Sequence, residues 1–206
     1  MDYRNSVLAV NKLKKSYKLK PNDVYHTPSK VAKIMIEMCD IKPTDTVLDP
    51  SRGDNKVFYN NFPECNKEYC EITEGKDFFD YNKKVDWVIG NPPYSLWNKW
   101  LDHTMELTDK FCYIFGLLNL TNHRIGRIFE KGYGITKIHF LKVGWWFSPS
   151  WLVVFEKNKP SIVGFTKNQI NCPDCGKMCG RGATKKGVKQ SPNKCYLKVL
   201  ENEKSK

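Results

Sequence analysis

Apolar positions along the chain follow two spacings, one typical of buried strands and one typical of amphipathic helices. Short apolar runs predict six strands at 45–50, 67–72, 85–90, 110–118, 135–141 and 150–157. Apolar residues three to four apart predict helices at 26–41, 95–107 and 123–132, and KVFYNNF predicts a further helix start. Strands that alternate with helices are typical of a mostly parallel α/β sheet. We therefore expect a three-layer fold whose last two strands form an antiparallel pair at one edge.

The size and hydropathy of the chain fit this pattern. Its 206 residues are enough for one ordinary domain with a small appendage, and 40% of them are hydrophobic. No apolar run approaches the ~20 residues of a membrane span, and the N-terminus lacks the apolar segment of a signal peptide. The sequence therefore predicts no membrane partner. It favours a cytoplasmic location, or the host cell interior if the source is a virus, phage or mobile element.

The net charge of +12 is concentrated in the two flanks of the chain. Residues 1–20 carry net +5 and residues 157–206 carry net +9, so residues 21–156 are close to neutral at −2. Two interpretations of the flanks stay open: solvated tails, or arms that contact the phosphates of a nucleic acid. We predict a basic arm over 1–20, a main domain over 21–163 and a basic tail over 164–206.

The eight cysteines fall into two groups of four. One group is scattered among apolar or mixed segments and is most simply read as reduced thiols: Cys39, Cys65, Cys70 and Cys112. The other group is clustered in the tail: Cys172, Cys175, Cys179 and Cys195. Without an export signal, a metal site is a better interpretation than a disulfide framework.

The cysteine tail predicts a small zinc-ribbon-like module. Its opening letters CPDCG resemble a zinc-ribbon knuckle, and four thiolates suit one tetrahedral Zn²⁺. Because a second CxxC pair is missing, the sequence leaves open whether Cys179 is a ligand. The cations between the knuckle and Cys195 suit contact with a nucleic-acid backbone.

Polar residues follow three of the predicted strands at their carboxyl ends, where ligands bind in parallel sheets. The first group is the turn LDPSRGDN (48–55), and the second is Glu71. Glu71 has two open interpretations, an acceptor for ribose hydroxyls or a solvent-facing carboxylate. The third group ends the strand VDWVIG with Asn91-Pro92-Pro93-Tyr94, where two prolines remove backbone donors and so end the strand.

These segments together resemble the S-adenosylmethionine-dependent amino-methyltransferases, especially the N6-adenine enzymes. GNPPY at a strand end resembles their catalytic motif, and LDPSRGDN resembles their Asp-Pro-x-x-Gly-x-Gly cofactor turn. YHTPSKVAKIMIEM resembles their upstream segment, and EITEGKDFFDYNKKVDWVIGNPPY is similar to their run of cofactor-binding and catalytic residues. The resemblance spans roughly residues 25–155. It implies a Rossmann-like methyltransferase fold.

The resemblance implies a catalytic role for the corner NPPY. The Asn91 side-chain oxygen and the Pro92 carbonyl would each accept an N–H of a planar amine, which frees the nitrogen lone pair for attack on a sulfonium methyl. Pro92 and Pro93 fix φ and hold both acceptors in place. Tyr94 would stack on a target base extruded from its helix.

The resemblance also implies a set of residues around S-adenosylmethionine: Tyr25, Thr27, Pro28, Asp49, Pro50, Ser51, Gly53, Glu71, Asp77, Phe78 and Asn91. Thr27 and Pro28 would border the methionine end with Tyr25 close by, and the four from Asp49 to Gly53 would form the cofactor turn. Glu71 would bind the ribose. Asp77 would accept the amine of the cofactor's adenine, and Phe78 would lie against its ring.

Two residues of the turn depart from the family pattern. Asn55 stands where the family has its last glycine, and we expect it to tolerate left-handed backbone there. Arg52 is bulky for a position that usually holds a small residue. Both departures bear on cofactor affinity.

The sequence thus favours methyl transfer to the N6 amine of adenine in nucleic acid, with DNA preferred. Three alternatives stay open: an RNA N6-adenine methyltransferase, a protein glutamine methyltransferase and a non-catalytic binding subunit. Because no large target-recognition domain fits in the chain, we expect relaxed sequence preference, readout by the tail or a protein partner. Trp97 and Trp100 are expected in the core, while Trp145, Trp146 and Phe147 either line the base pocket or pack.

Overall fold

The computed structural model describes residues 26–146 and 148–164. Tyr25, Phe147, the four tail cysteines, residues 1–20 and residues 165–206 therefore lie outside the described residues. The predicted zinc module and the predicted arm remain predictions from sequence.

The described chain contains four α-helices and six strands. The helices are α1 Ser29–Glu37, α2 Val57–Asn61, α3 Trp97–Leu107 and α4 Asn122–Glu130. The strands are β1 Thr46–Asp49, β2 Asn66–Tyr69, β3 Trp87–Gly90, β4 Lys110–Gly116, β5 Tyr133–Leu141 and β6 Ser150–Lys157. Three short 3₁₀ helices cover Ile72–Glu74, Phe78–Asp80 and Tyr94–Leu96. All six predicted strands are present, although β2 ends at Tyr69, before Glu71.

The strands form one mixed sheet in the order β2-β1-β3-β4-β6-β5. Neighbours from β2 to β4 pair in parallel, whereas β6 runs antiparallel to both β4 and β5. This confirms the expected antiparallel pairing of the last two strands, with β5 at the sheet edge and β6 inside it.

Alternation along the strands divides the core between the two faces of the sheet. In β4, the aromatic residues Phe111, Tyr113 and Phe115 pack with α3 and α4, while Cys112 and Ile114 pack with α1 and α2. Helices therefore cover both faces, as the three-layer expectation required. Burial on both faces explains why β3 and β4 read as continuous apolar runs.

The strand order creates a switch point between β1 and β3. The chain leaves β1 through α2 on one face of the sheet to reach β2, and it leaves β3 through α3 on the other face to reach β4. In open α/β sheets, ligands bind in the crevice that such diverging loops leave at the carboxyl ends of the strands. The turn after β1 and the corner NPPY after β3 are the two loops that flank this crevice.

Several expectations about single residues are confirmed in the core. Trp97 and Trp100 are buried, and Trp97 stacks on Phe115 with ring centroids 4.3 Å apart. The cysteines outside the tail are free thiols, as expected. Within the described residues, no helix is long and apolar enough to cross a membrane.

Candidate active site

The turn after β1 is anchored by a fully buried carboxylate. Asp49 Oδ1 accepts the Ser51 N–H at 3.3 Å, while Asp49 Oδ2 is buried and has no hydrogen-bond partner among the described residues. Gly53 takes φ +64°, a left-handed conformation that glycine adopts without steric penalty. The turn therefore leaves one buried carboxylate oxygen available at the switch point.

Burial also shifts the acidity of this carboxylate. Desolvation is the largest cause that raises the pKa of Asp49, from an ordinary 3.8 to about 7. The negative charge of Glu71 raises this pKa further, whereas backbone N–H groups of Ser51 and Tyr59 and the charge of Arg52 lower it. A cation bound beside Asp49 would favour its ionised form.

Glu71 joins the turn after β1 to the turn after β2. It is only 9% exposed, so its alternative interpretation as a solvent-facing carboxylate is wrong. Its Oε2 accepts the Gly53 N–H at 2.8 Å, and its Oε1 accepts the Thr73 N–H at 3.0 Å and the Thr73 hydroxyl at 2.6 Å. Since a carboxylate has about four acceptor sites, Glu71 retains capacity for a further donor.

The corner NPPY lies directly against the turn after β1. A Cβ added to Gly90 would come within 2.9 Å of Pro50 Cδ, so only glycine permits this approach. The Ser51 hydroxyl donates to the Asn91 carbonyl at 3.2 Å. The two loops that flank the switch point are thus connected through Pro50 and Ser51.

The start of α1 reaches the same corner from a distant part of the sequence. Thr27 is 6% exposed, and its Oγ1 accepts a hydrogen bond from Asn91 Nδ2 at 3.3 Å. Pro28 is the N-cap residue of α1, and its carbonyl accepts the N–H groups of Val31 and Ala32. The predicted Thr-Pro helix start therefore lies beside the predicted catalytic asparagine.

Tyr94 is the last residue of the corner NPPY and packs against the aromatic core. Its half-buried ring is roughly parallel to that of Trp97, with centroids 6.0 Å apart and an interplanar angle of 17°. A Cβ on Gly116, at the end of β4, would be 3.8 Å from Tyr94 Cε2. The phenol therefore faces the carboxyl end of β4.

Asp77 and Phe78, the residues predicted to bind the adenine of the cofactor, both contact other residues of the fold. Asp77 is the N-cap of the 3₁₀ helix Phe78–Asp80, and its Oδ1 accepts the Phe79 N–H at 2.9 Å. Phe78 is 3% exposed and stacks on Trp100 with centroids 4.3 Å apart. The structure brings together Thr27, Asn91, Ser51, Gly53 and Glu71, and it places the Phe78 ring in the core.

The two departures from the family pattern have local explanations. The left-handed residues of this segment are Gly53 and Lys56, at φ +50°, so the turn does not call on the tolerance expected of Asn55. The Arg52 side chain is buried, lies 3.7 Å from the Tyr69 ring centroid and donates to Glu74. Its guanidinium therefore fastens the turn to β2 and to the 3₁₀ helix after it.

Sequence reasoning missed the contacts that hold the site together. Thr73 stands two residues after Glu71, the spacing of a local side-chain turn, and that spacing was an available signal. The pairing of Arg52 with Glu74 and the Ser51 bond to Asn91 join residues 22 and 40 positions apart. Contacts at such separations have no signature in a single sequence.

Comparison with known proteins supports the fold. No protein-family profile and no curated protein matches the sequence. Precorrin-6y C5,15-methyltransferase from Geobacter metallireducens has a TM-score of 0.50 and 10% identity over 68% of this chain and 94% of that chain. TrmK from M. capricolum, solved with S-adenosyl-homocysteine, has a TM-score of 0.49 and 13% identity over 66% of this chain and 71% of that chain.

The name of a third structural neighbour gives a different methyl acceptor, 23S rRNA. The 23S rRNA methyltransferase ErmE has a TM-score of 0.49 and 11% identity over 68% of this chain and 72% of that chain. At these identities the likeness to the Geobacter enzyme shows the fold alone. The chain therefore has a Rossmann-like methyltransferase fold, and the acceptor must be argued from the site.

Proposed function

We propose that this protein is an S-adenosylmethionine-dependent methyltransferase that methylates the N6 amine of adenine in nucleic acid, with DNA as the favoured substrate. The observation that carries the proposal is the meeting of Thr27, Ser51 and Asn91 at the switch point of the sheet. These residues belong to three segments that the resemblance assigns to one site from the sequence alone.

The residues at the switch point fit the cofactor. S-adenosylmethionine supplies an electrophilic methyl group on a sulfonium, next to an ammonium and a ribose diol. Asp49 and Glu71 place two buried carboxyl groups beside the left-handed turn at Gly53. The buried Asp49 Oδ2 suits a cationic or N–H donor, and the remaining acceptor capacity of Glu71 suits a hydroxyl.

The corner NPPY fits the acceptor amine. Because Asn91 Nδ2 donates to Thr27, the amide oxygen is held on the other side of the side chain. Pro93 has φ −64° and ψ 125°, an extended conformation that the ring restricts. Asn91 Oδ1 and the Pro92 carbonyl would orient the amine and polarise its N–H bonds, so that positioning and electrostatics promote attack without a strong base.

The distribution of charge favours a polyanionic acceptor over a protein glutamine. Residues 21–109, which include the cofactor turn, hold sixteen acidic and ten basic residues, whereas residues 110–150 hold one acidic and six basic residues. The segment from β4 to the start of β6 is thus basic, in addition to the flanks. The corner itself reads only an amine, so either sequence preference is relaxed or target selection depends on the tail or a protein partner.

The proposal is tested by methyl transfer from tritiated S-adenosylmethionine to DNA, RNA and protein in parallel, followed by nucleoside analysis. We expect label in N6-methyladenine from DNA. Label in RNA alone would select the RNA enzyme, and label on protein alone would overturn the nucleic-acid substrate.

Calorimetric titration with S-adenosylmethionine separates the enzyme from a non-catalytic binding subunit. We expect saturable binding that is lost in Gly53→Val, since valine disfavours the left-handed backbone found there. Gly144→Val is the matched control, because a Cβ at Gly144 meets nothing within 4 Å. Absence of cofactor binding by the unmodified protein would contradict the enzymatic proposal.

A further inference from the structure

An exposed apolar surface adjoins the corner NPPY at the carboxyl end of the sheet. It consists of Leu117 and Leu118 after β4 and Trp145 before β6, and we call these three residues the apolar rim. Leu118 is 80% exposed and Trp145 is 75% exposed, whereas the neighbouring Trp146 is 6% exposed. Within this loop, one tryptophan therefore packs and the other faces solvent.

The sheet brings together the bases of the two loops that carry the apolar rim. Gly116, the last residue of β4, pairs with Ser150, the first residue of β6, and the Leu117 N–H donates to the Pro149 carbonyl at 3.1 Å. A Cβ on Gly116 would lie 3.6 Å from Ser148 Oγ and 3.8 Å from Tyr94 Cε2. The loops that carry the rim therefore border the phenol of the corner.

Each part of the apolar rim has a cation fixed at its base. Arg124 Nη1 donates to the Asn119 carbonyl at 2.7 Å, one residue beyond Leu118. Lys142 Nζ donates to the Trp146 carbonyl, one residue beyond Trp145. Loop residues 117–124 and 142–149 contain no acidic residue.

This combination fits unstacked nucleotides better than an apolar protein surface. Nucleic-acid-binding proteins contact bases with exposed aromatic and aliphatic side chains, while neighbouring cations contact the phosphates. Enzymes that act on a base remove it from the stack, which leaves the flanking bases exposed beside the catalytic corner.

We propose that Leu118 and Trp145 contact the bases that flank the target nucleotide and keep the nucleic acid unstacked around it, with Arg124 and Lys142 near the adjoining phosphates. The proposal rests on the proposed function, because it takes the corner NPPY as the site that receives the target base. It adds an interaction surface that is distinct from the residues around the methyl donor.

The test measures binding and unstacking separately from methylation. A fluorescein-labelled single-stranded DNA oligonucleotide reports affinity by anisotropy. A second oligonucleotide, with 2-aminopurine next to its only adenine, reports unstacking by an increase in fluorescence. The double variant Leu118→Ser/Trp145→Ser of the full chain should bind about 5- to 150-fold more weakly, the range that loss of one stacked base produces. It should also lose the 2-aminopurine signal.

Two further variants control this experiment. Trp145→Phe keeps an aromatic face and should retain most of the affinity. Ile162→Ser removes another exposed apolar side chain, 64% exposed. The Ile162 backbone N–H donates to the Ile135 carbonyl near the start of β5, away from the corner. This variant should leave affinity and unstacking unchanged. Equal thermal melting of all variants establishes that the fold is retained.

The outcomes separate this proposal from the proposed function. Unchanged DNA affinity and unstacking in the double variant would overturn the role of the apolar rim, even if the protein methylates DNA. A protein that binds and unstacks DNA through the rim but forms no N6-methyladenine would overturn the proposed function alone. Failure of the unmodified protein to bind DNA or RNA would overturn the role of the rim.

Discussion

At the scale of single residues, the buried acid Asp49 has an acidity that its surroundings change strongly. Burial raises its pKa to about 7, and Glu71 adds to this shift. The native state therefore holds the Asp49 proton at pH values where the unfolded chain has released it. Stability from this group is present below the unfolded pKa and is lost as pH rises toward the folded pKa.

Replacement of Asp49 by asparagine should remove the pH dependence of cofactor binding. Because a cationic cofactor favours the ionised acid, its binding should tighten as pH rises. The dissociation constant for S-adenosylmethionine should fall about tenfold for each unit of pH increase up to the Asp49 pKa of about 7, and it should level off at higher pH. In Asp49→Asn the constant should vary much less over this range. Calorimetric titration from pH 5.5 to about 8 measures both proteins. Parallel pH profiles for the two would contradict a role for Asp49 beside the cofactor.

Arg52 is a second residue whose environment explains an unusual feature, a bulky side chain within the cofactor turn. Its replacement by alanine should destabilise the fold by about 1–3 kcal/mol, since the contact with Tyr69 and the ion pair with Glu74 are both lost. Arg52→Lys should recover only part of the lost stability, because an ammonium cannot replace the planar guanidinium in both contacts. Urea unfolding measures the loss.

The control for Arg52 is an exposed ion pair. Lys83 and Glu68 are 3.3 Å apart with side chains 68% and 36% exposed, so Lys83→Ala should change stability by less than about 0.5 kcal/mol. Equal effects at Lys83 and Arg52 would contradict the anchoring role of Arg52.

At the scale of elements, the close approach of the turn after β1 to the end of β3 determines the geometry of the site. Gly90→Ala would place a methyl group 2.9 Å from the Pro50 ring, and a proline ring cannot rotate away. We expect a loss of about 1–3 kcal/mol and weaker cofactor binding. Gly144→Ala, in open space, should leave both quantities close to those of the unmodified protein. Retained cofactor affinity in Gly90→Ala would show that the site tolerates separation of the two loops.

The elements also show what the sequence could predict. Strands β3 and β4 are buried on both faces and appear as continuous apolar runs, so their positions were clear. β2 is a short edge strand with polar residues, and its pattern did not reveal that it ends before Glu71. The left-handed backbone at Lys56 could not be read from a lysine, whereas the family resemblance assigned Thr27 and Asn91 to one site without predicting the hydrogen bond between them.

At the scale of the whole molecule, the domain combines an acidic segment, residues 21–109, with a basic segment, residues 110–150, that includes the apolar rim. The acidic segment holds the cofactor turn and suits a cationic methyl donor, while the basic segment suits contact with a polyanionic acceptor around the corner NPPY. The overall charge did not reveal this division, because the two segments nearly cancel within residues 21–156.

The cysteine tail lies outside the described residues and yields a prediction from sequence alone. Protein purified without chelators should contain about one zinc ion per chain, as measured by mass spectrometry. Cys172→Ser/Cys175→Ser should lose the metal, while Cys65→Ser, a half-buried free thiol, should retain it. A metal content near zero in the unmodified protein would contradict the zinc module.

The central claim is that the Asn91 side chain orients the adenine amine for methyl transfer. The most direct measurement is the single-turnover rate of N6-methyladenine formation in DNA by the unmodified protein, by Asn91→Ala and by Asn60→Ala. Asn60 is exposed on α2 and serves as the matched control. We predict a loss of at least about a hundredfold in Asn91→Ala and an unchanged rate in Asn60→Ala. Equal rates of N6-methyladenine formation in all three proteins would contradict the account.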